Sequence, residues 1–526
     1  MGAGLDAPAA AERDAQPDPD DTRLDDGMSD QDPSLSQNPE PVEPTPARQA
    51  PLYCDGFARS QAIRRVLASG RRPIAREWDP RMPVPAGVGI DRRRFLAGSL
   101  GGLAIVYGAG RAGLTDRMLG DGIAQAASTA PANSPILVSV FMQGGLDALS
   151  LLAPAGDALY EKLRPTLAVA PGSGPTFSED SSLTWHPAAS SFAQLNSAGK
   201  VAVFPGIGYA DPDLSHFTSR HYWEVGATDA SLTTGWLGRY LDVAGDATNP
   251  FQGLSLDGQM NPTLATTKVP VAAIDRPNNF AVGLNGVWGT TAELALDAAS
   301  ALGDAQRLHR DPAIRQVASA ASEVGIVRRT LAPWTNAASS SSSSANANPA
   351  AAYGSSVTYP EASTGDLPAR LAGLASMIAA GVPLRCVAVT TDTQFDTHSS
   401  QAETFNVGVK LVADSLAAFQ ADLEARGIDD RVVVHVWSEF GRRAQENGSD
   451  GTDHGAAGTS LLIGSRVNGG MVGEFAPLTN LDVNGNQQEN VDFRGVYASL
   501  LEQWFDQDAG AVIPGAAGFQ RYNLIA

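Results

Sequence analysis

The sequence predicts an α/β fold in which a mostly parallel sheet lies between helical layers. Three observations point there. Several segments are continuous apolar runs rather than alternating ones, the pattern of strands buried on both faces. Between them lie longer segments whose apolar residues recur at helical spacing. Polar, chemistry-bearing residues then collect just after the strands, where ligands bind in open parallel sheets.

In chain order, residues 1–50 hold twelve acids and three arginines, frequent Pro and no aromatics. Such a segment cannot bury enough apolar area to offset its chain entropy, and it is expected to be a disordered acidic leader. Residues 51–126 reverse the balance, with twelve Arg against six acids. Within them, 51–90 is an Arg-rich segment that precedes Asp91-Arg92-Arg93-Arg94-Phe95-Leu96, a match to the twin-arginine export pattern. The weakly apolar, Gly-rich stretch Phe95–Gly110 is 16 residues long, short for a membrane span and suited to a signal h-region. Ala124-Gln125-Ala126 supplies a cleavage site, so 91–126 reads as the signal and Ala127 as the first mature residue. A buried Gly-rich helix after an Arg-rich linker is the other reading. The export reading implies the twin-arginine translocation machinery as a partner and a periplasmic or extracellular destination, with no stable membrane span in the mature protein.

Residues 127–526 read as a single α/β domain. Expected strands are Pro135–Met142, Lys200–Phe204, Arg385–Thr391, Arg431–Trp437 and Thr459–Ile463. Asp366 is placed to cap a helix with Leu367, Leu371, Leu374, Met377 and Ile378 on its apolar face and Gly381 at its end. A second helix runs over 403–426, a third over 493–505, and a short one over 216–225. Residues 333–362 include Ser339–Ser344 and read as a flexible insertion.

Composition removes several function classes. The chain of 526 residues has a formal net charge of −20, so clustered cations for nucleic-acid phosphates are not expected. Two cysteines, Cys54 and Cys386, exclude a disulfide scaffold and a cysteine zinc module, and Cys386 reads as a small core residue.

The polar rim carries the chemistry. Asp147 follows the first strand, and Ser215 the second. Asp396 and His398 follow the Cys386 strand. Glu439 and Arg442 follow the Val434 strand, and Asp453 and His454 precede the last strand. Carboxylates with imidazoles suit a divalent metal (Zn, Mn, Mg or Ca) without any thiolate. Asp396 and His398, at i and i+2, face the same way in an extended segment. Ser215, ahead of a helix, is a nucleophile or an N-cap, and Asp147 is a ligand or an N-cap. Asp453 and His454 also fit a supporting hydrogen bond, Glu439 and Arg442 an ordinary ion pair, and His435 a satisfied core histidine.

These pieces together resemble a known family. The export motif, Gln143 to Asp147, Leu163-Arg164-Pro165, His186-Pro187, Ser215-His216-Phe217, Thr234 to Arg239, Phe395 to His398, Ser438 to Arg442, Asp453-His454 and Asp492 to Tyr497 occur in the order found in the exported bacterial family known as domain of unknown function 1501. That family is similar to the alkaline phosphatase and sulfatase superfamily. The resemblance implies an alkaline-phosphatase-like fold with metals at the carboxyl ends of strands. It places metal ligands at Asp147, Asp396, His398, Glu439 and His454 and a nucleophile at Ser215; from the rim itself, Asp453 is a further candidate ligand and Arg442 or Arg239 a candidate partner for a substrate oxyanion. The implied activity is metal-dependent hydrolysis of a small anionic phosphate or sulfate ester by Ser215 or water. Glu439 is followed by Phe440 where the superfamily has His, which motivates an alternative: a secreted binding or assembly protein that keeps the fold without turnover.

Overall fold

The computed structural model describes residues 134–280, 289–306, 308–338, 348–361 and 365–526. The leader, the Arg-rich segment, the twin-arginine signal, the cleavage site, Cys54 and Ser339–Ser344 lie outside the described residues.

The strands are β1 (Ile136–Phe141), β2 (Leu152–Ala153), β3 (Thr184–Trp185), β4 (Val201–Gly208), β5 (Gly253–Ser255), β6 (Ala272–Ala273), β7 (Cys386–Thr390), β8 (Val432–Trp437), β9 (Gly458–Ile463), β10 (Gly470–Met471) and β11 (Val491–Asp492). The helices are α1 (Ala148–Leu151), α2 (Ala158–Leu163), α3 (Ser190–Ser197), α4 (His216–Val225), α5 (Trp236–Ala244), α6 (Gly289–Gln306), α7 (Pro312–Ala338), α8 (Leu367–Ala379), α9 (Gln401–Ala425) and α10 (Phe493–Gln503). Nine strands form one sheet in the order β10-β4-β9-β8-β1-β7-β5-β6, with β11 also on β4, while β2 and β3 pair separately. Helices flank this mixed, mostly parallel sheet. No helix among the described residues is long and apolar enough to cross a membrane.

The central strand shows why the apolar runs are continuous. Ile136, Val138 and Val140 of β1 enter one core with α8 and α9. Leu137 and Phe141 enter a second core with α5 and α10. Successive side chains point to opposite faces, so both sets must be apolar when both faces are covered. Each large side chain so buried contributes roughly 1.5–3 kcal/mol. The α8 stripe of Leu371, Leu374, Met377 and Ile378 and the α9 stripe of Phe405, Val409, Val412, Leu416, Phe419 and Leu423 all lie in the first core, as the periodicity predicts. Gly381 and Gly427 follow these helices with φ of +78° and +67°, the left-handed turn that glycine supplies without a Cβ clash. Cys386 is buried and free.

Three expectations change. β9 is antiparallel to both its neighbours, β4 and β8, so its entry end, not its exit, lies at the rim where β1 and β8 finish. Asp366 stands at the N-cap of α8 but makes no side-chain cap bond; Asp392 instead accepts from the Asp366 and Leu367 amides at 2.8 and 2.9 Å. The insertion read over 333–362 is shorter at both ends. α7 continues through Ala338, and packing resumes at Asn348, whose side chain caps the turn Pro349–Tyr353. Tyr353 and Tyr359 are buried there, and the Tyr359 hydroxyl meets Asp422 at 3.1 Å.

Candidate metal centre

The loop after β1 frames the site. Gly144 and Gly145 have φ of +107° and +74°. A Cβ on Gly144 would sit 2.5 Å from the Asp396 amide nitrogen, and one on Gly145 would sit 2.4 Å from the Phe440 ring. Glycine is therefore needed twice, for conformation and for room. The two amides turn toward the fully buried Glu439 carboxylate, Gly144 at 2.9 Å from Oε1 and Gly145 at 3.1 Å from Oε2.

α4 brings in His216 at its first position. The helix is fixed by Trp223, which stacks on Trp437 of β8 at 5.4 Å and on Phe493 of α10 at 4.5 Å. His216 Nδ1 lies 2.8 Å from Glu439 Oε1, and its Nε2 lies 3.3 Å from Asp396 Oδ2. Asp396 Oδ1 meets His398 Nε2 at 3.0 Å, His454 Nε2 at 3.3 Å and an Arg442 nitrogen at 2.8 Å. His454 Nδ1 is 2.8 Å from the Leu214 carbonyl oxygen, and His398 Nδ1 is 3.1 Å from Asp453 Oδ1. Among the described residues, His216, Asp396 and His454 form a group whose ligand atoms all lie within 4.8 Å of one another. His398 adjoins it, with Nε2 at 3.1 Å from His454 Nε2.

One pattern organises these distances. Each ring ties Nδ1 to an oxygen acceptor and turns Nε2 toward Asp396. A carbonyl can only accept, so His454 carries its proton on Nδ1 and presents a bare lone pair at Nε2. Burial pushes the His454 pKa down to about 4, so the ring is neutral near pH 7. Burial disfavours a charged His216 ring, yet the facing Asp396 and Glu439 carboxylates lift its pKa above the usual histidine value. Burial alone would raise the Asp396 carboxyl, but hydrogen bonds from His216, His398 and His454 hold it far below the usual carboxylate range. Glu439 is likewise held low by His216 against its burial.

The donor set fits a divalent cation. Asp396, Glu439 and Asp453 set against Arg442 leave a local charge of about −2 when the rings are neutral, which a dication balances. A tetrahedral ion with bonds of about 2.0 Å needs donors about 3.3 Å apart. The contacts of Asp396 with His216 and His454 are both 3.3 Å.

The expected site residues divide. Asp396, His398 and His454 converge. Glu439 and Asp453 stand behind His216 and His398 rather than among the converging atoms. Asp147 is elsewhere in the hydrogen-bond network: its carboxylate accepts from Arg164 at 2.5 and 2.9 Å, from Ser150 at 2.6 Å and from Gln401 at 2.5 Å. The buried Arg164 needs that counter-charge, and its demand replaces both the ligand and the cap reading; Asp147 makes no side-chain cap bond. Arg442 is buried and spends its donors on the carbonyls of Gly144, Gly145, Phe395 and Thr452 and on Asp396. It holds the loops together. Arg239 likewise donates to the carbonyls of Val512, Thr234 and Val225. Ser215 is half-buried, directly precedes His216 and leaves its hydroxyl out of the helix cap. His435 is a core histidine, with Nε2 3.0 Å from Ser460 Oγ. The residue that sequence reasoning passed over is His216, although its place at the first turn of a helix after a strand was visible. A separate cavity of about 510 Å³, lined in part by His186, Gln401 and Phe405, includes none of the converging residues.

No curated protein matches the chain. Among solved structures it is similar to Ps i-CgsB in complex with k-i-k-neocarrahexaose (11% identity, TM-score 0.31, covering 74% of this chain and 75% of that one). It is similar to Ps i-CgsB alone (10%, 0.32, 74% and 77%). It is also similar to a protein in the alkaline phosphatase superfamily from Vibrio parahaemolyticus (11%, 0.28, 86% and 75%). Across residues 291–500, which hold Asp396, His398, Glu439 and His454, the chain matches the model of the family described as protein of unknown function (DUF1501), the family its motifs resemble.

Proposed function

We propose that the protein is a metal-dependent hydrolase of phosphate or sulfate esters, exported by the twin-arginine route to the periplasm or beyond. The observation that carries the catalytic part is the common orientation of three imidazoles, each with Nδ1 bound to an oxygen and Nε2 turned to Asp396. His454 Nε2 presents its lone pair 3.1 Å from His398 Nε2, so a proton or a cation can stand between the two nitrogens. His216, Asp396 and His454 would hold the ion, with His398 as a further donor. Three nitrogens and one carboxylate favour Zn or Mn over Mg or Ca, which prefer oxygen throughout. When bound, such an ion supplies Lewis acidity toward an ester oxygen and lowers the pKa of a nearby hydroxyl or water.

The chain's own residues supply the rest. Arg442 fixes Asp396 in place, and Glu439 fixes His216. Ser215, half-buried and directly before His216, offers one candidate hydroxyl, and a water is the other candidate nucleophile. The open side lies at His398 and Asp453, whose side chains are 21% and 47% exposed, so a small anionic ester can approach there. The use of Arg442 and Asp147 to tie loops and side chains together favours a second reading, a binding protein with a structural metal and no turnover.

The test is metal analysis of purified protein with turnover of aryl phosphates and sulfates. About one ion per chain is expected, with activity lost to chelator and to His454→Ala and restored by zinc or manganese. Turnover indifferent to both treatments sinks the hydrolase mechanism. Stoichiometric metal without turnover supports the binding protein.

A further inference from the structure

We infer that Glu439 is a positioning residue for His216: it selects which ring nitrogen faces the centre, and it does not itself ligate. This rests on the metal-centre reading above. Both carboxylate oxygens are already engaged. Oε1 takes the Gly144 amide at 2.9 Å and faces His216 Nδ1 at 2.8 Å. Oε2 takes the Gly144 and Gly145 amides, each at 3.1 Å. The side chain is fully buried. The His216 nitrogen it faces is the one turned away from Asp396. A carboxylate in that place accepts only, so it holds a proton on Nδ1, and Nε2, which faces Asp396, is the nitrogen that gives up its proton to an ion.

The two glycine amides give this arrangement its specificity. They are backbone donors fixed by positive φ, so they cannot rotate to suit another side chain. Glutamine at 439 has one accepting and one donating end. If its amide nitrogen takes the Oε1 place facing His216, Nδ1 must accept and the proton moves to Nε2, closing the lone pair, while the same nitrogen meets the Gly144 amide donor to donor. If its amide nitrogen faces the glycines, donor meets donor and the loop is pushed away. Both outcomes weaken ion capture through His216, although Glu439 lies outside the converging set.

The experiment uses the full chain labelled with ¹⁵N-histidine, comparing the parent with Glu439→Gln and Glu439→Asp. Zinc affinity is read by competition with a chromophoric chelator, and the His216 nitrogens are read by long-range ¹H–¹⁵N correlation with and without zinc. His435, buried on β8 and bonded to Ser460, is the internal check on folding. Zinc binding is expected to weaken about 10- to 100-fold in Glu439→Gln, with His216 signals displaced and His435 signals unmoved. Glu439→Asp, which keeps the charge but shortens the reach, is expected between the two, and it carries the comparison if Glu439→Gln does not fold. Zinc affinity within twofold of the parent, with superimposable His216 signals, overturns the positioning role and leaves the metal centre standing. A parent chain that binds no zinc overturns the centre, and the metal-free His216 signals then still decide whether Glu439 sets the ring.

Discussion

Asp147→Ala separates the two roles that this carboxylate has been given. Arg164 is fully buried and makes five hydrogen bonds, two of them to Asp147. Removing the carboxylate leaves a guanidinium with three neutral acceptors and no directly bonded counter-charge, at a cost of about 3–5 kcal/mol. Ser150 and Gln401 also lose their acceptor, at about 1 kcal/mol each. The expected loss is thus a large part of the roughly 5–15 kcal/mol that holds a folded protein together. Urea unfolding followed by tryptophan fluorescence measures it, with metal content determined on the same sample. The double change Asp147→Leu with Arg164→Met removes both charges and is expected to recover most of the loss, because a buried ion pair is commonly no better than apolar packing. Asp147→Ala that stays within 1 kcal/mol of the parent while losing its metal would refute this reasoning and return Asp147 to the ligand set.

Two further outcomes are expected. Burial pushes the His435 pKa down to about 3, from 6.5, so the unfolded chain binds more protons between those values. This contribution to stability is complete above pH 6.5 and is lost as pH falls toward 3, by up to about 5 kcal/mol at 1.36 kcal/mol per pH step. His435→Leu is expected to flatten the slope of unfolding free energy between pH 7 and 4, and an unchanged slope counts against the account. Gly145→Ala meets both a φ of +74° and the Phe440 ring and is expected to cost roughly 1–3 kcal/mol by thermal melt. Gly172→Ala, at φ +72° with nothing within 4 Å, should cost less; equal losses would remove the packing argument.

The layered fold was legible because burial on both faces writes itself into composition. β1, β7 and β8 are found within a residue or so of the expected bounds, and α4 over the expected residues. The two-residue strands β6, β10 and β11 carry too few side chains to leave a pattern. The antiparallel course of β9 was not written in its apolar run, since a doubly covered strand looks the same in either direction. At the centre, sequence identified which residue types gather but not their order of contact. Asp396, His398 and His454 were legible from position after or before strands. Glu439 and Asp453 fell behind the rings because a carboxylate beside an imidazole serves equally as ligand or as support, and only the direction of the ring decides. Asp147 was misplaced because its partner, Arg164, showed no sign of burial in a segment of mixed polarity. His216 was passed over because attention fell on the hydroxyl beside it.

Leu214 and His454 touch across 240 residues, and His454 enters on the segment leading into β9, which lies between β4 and β8. The last imidazole therefore arrives with a reversed strand that pairs both the early β4 and β8, the strand just before it. A chain released short of His454 lacks one of the three converging residues. If the proposed centre takes an ion, uptake follows assembly of the sheet rather than leading it.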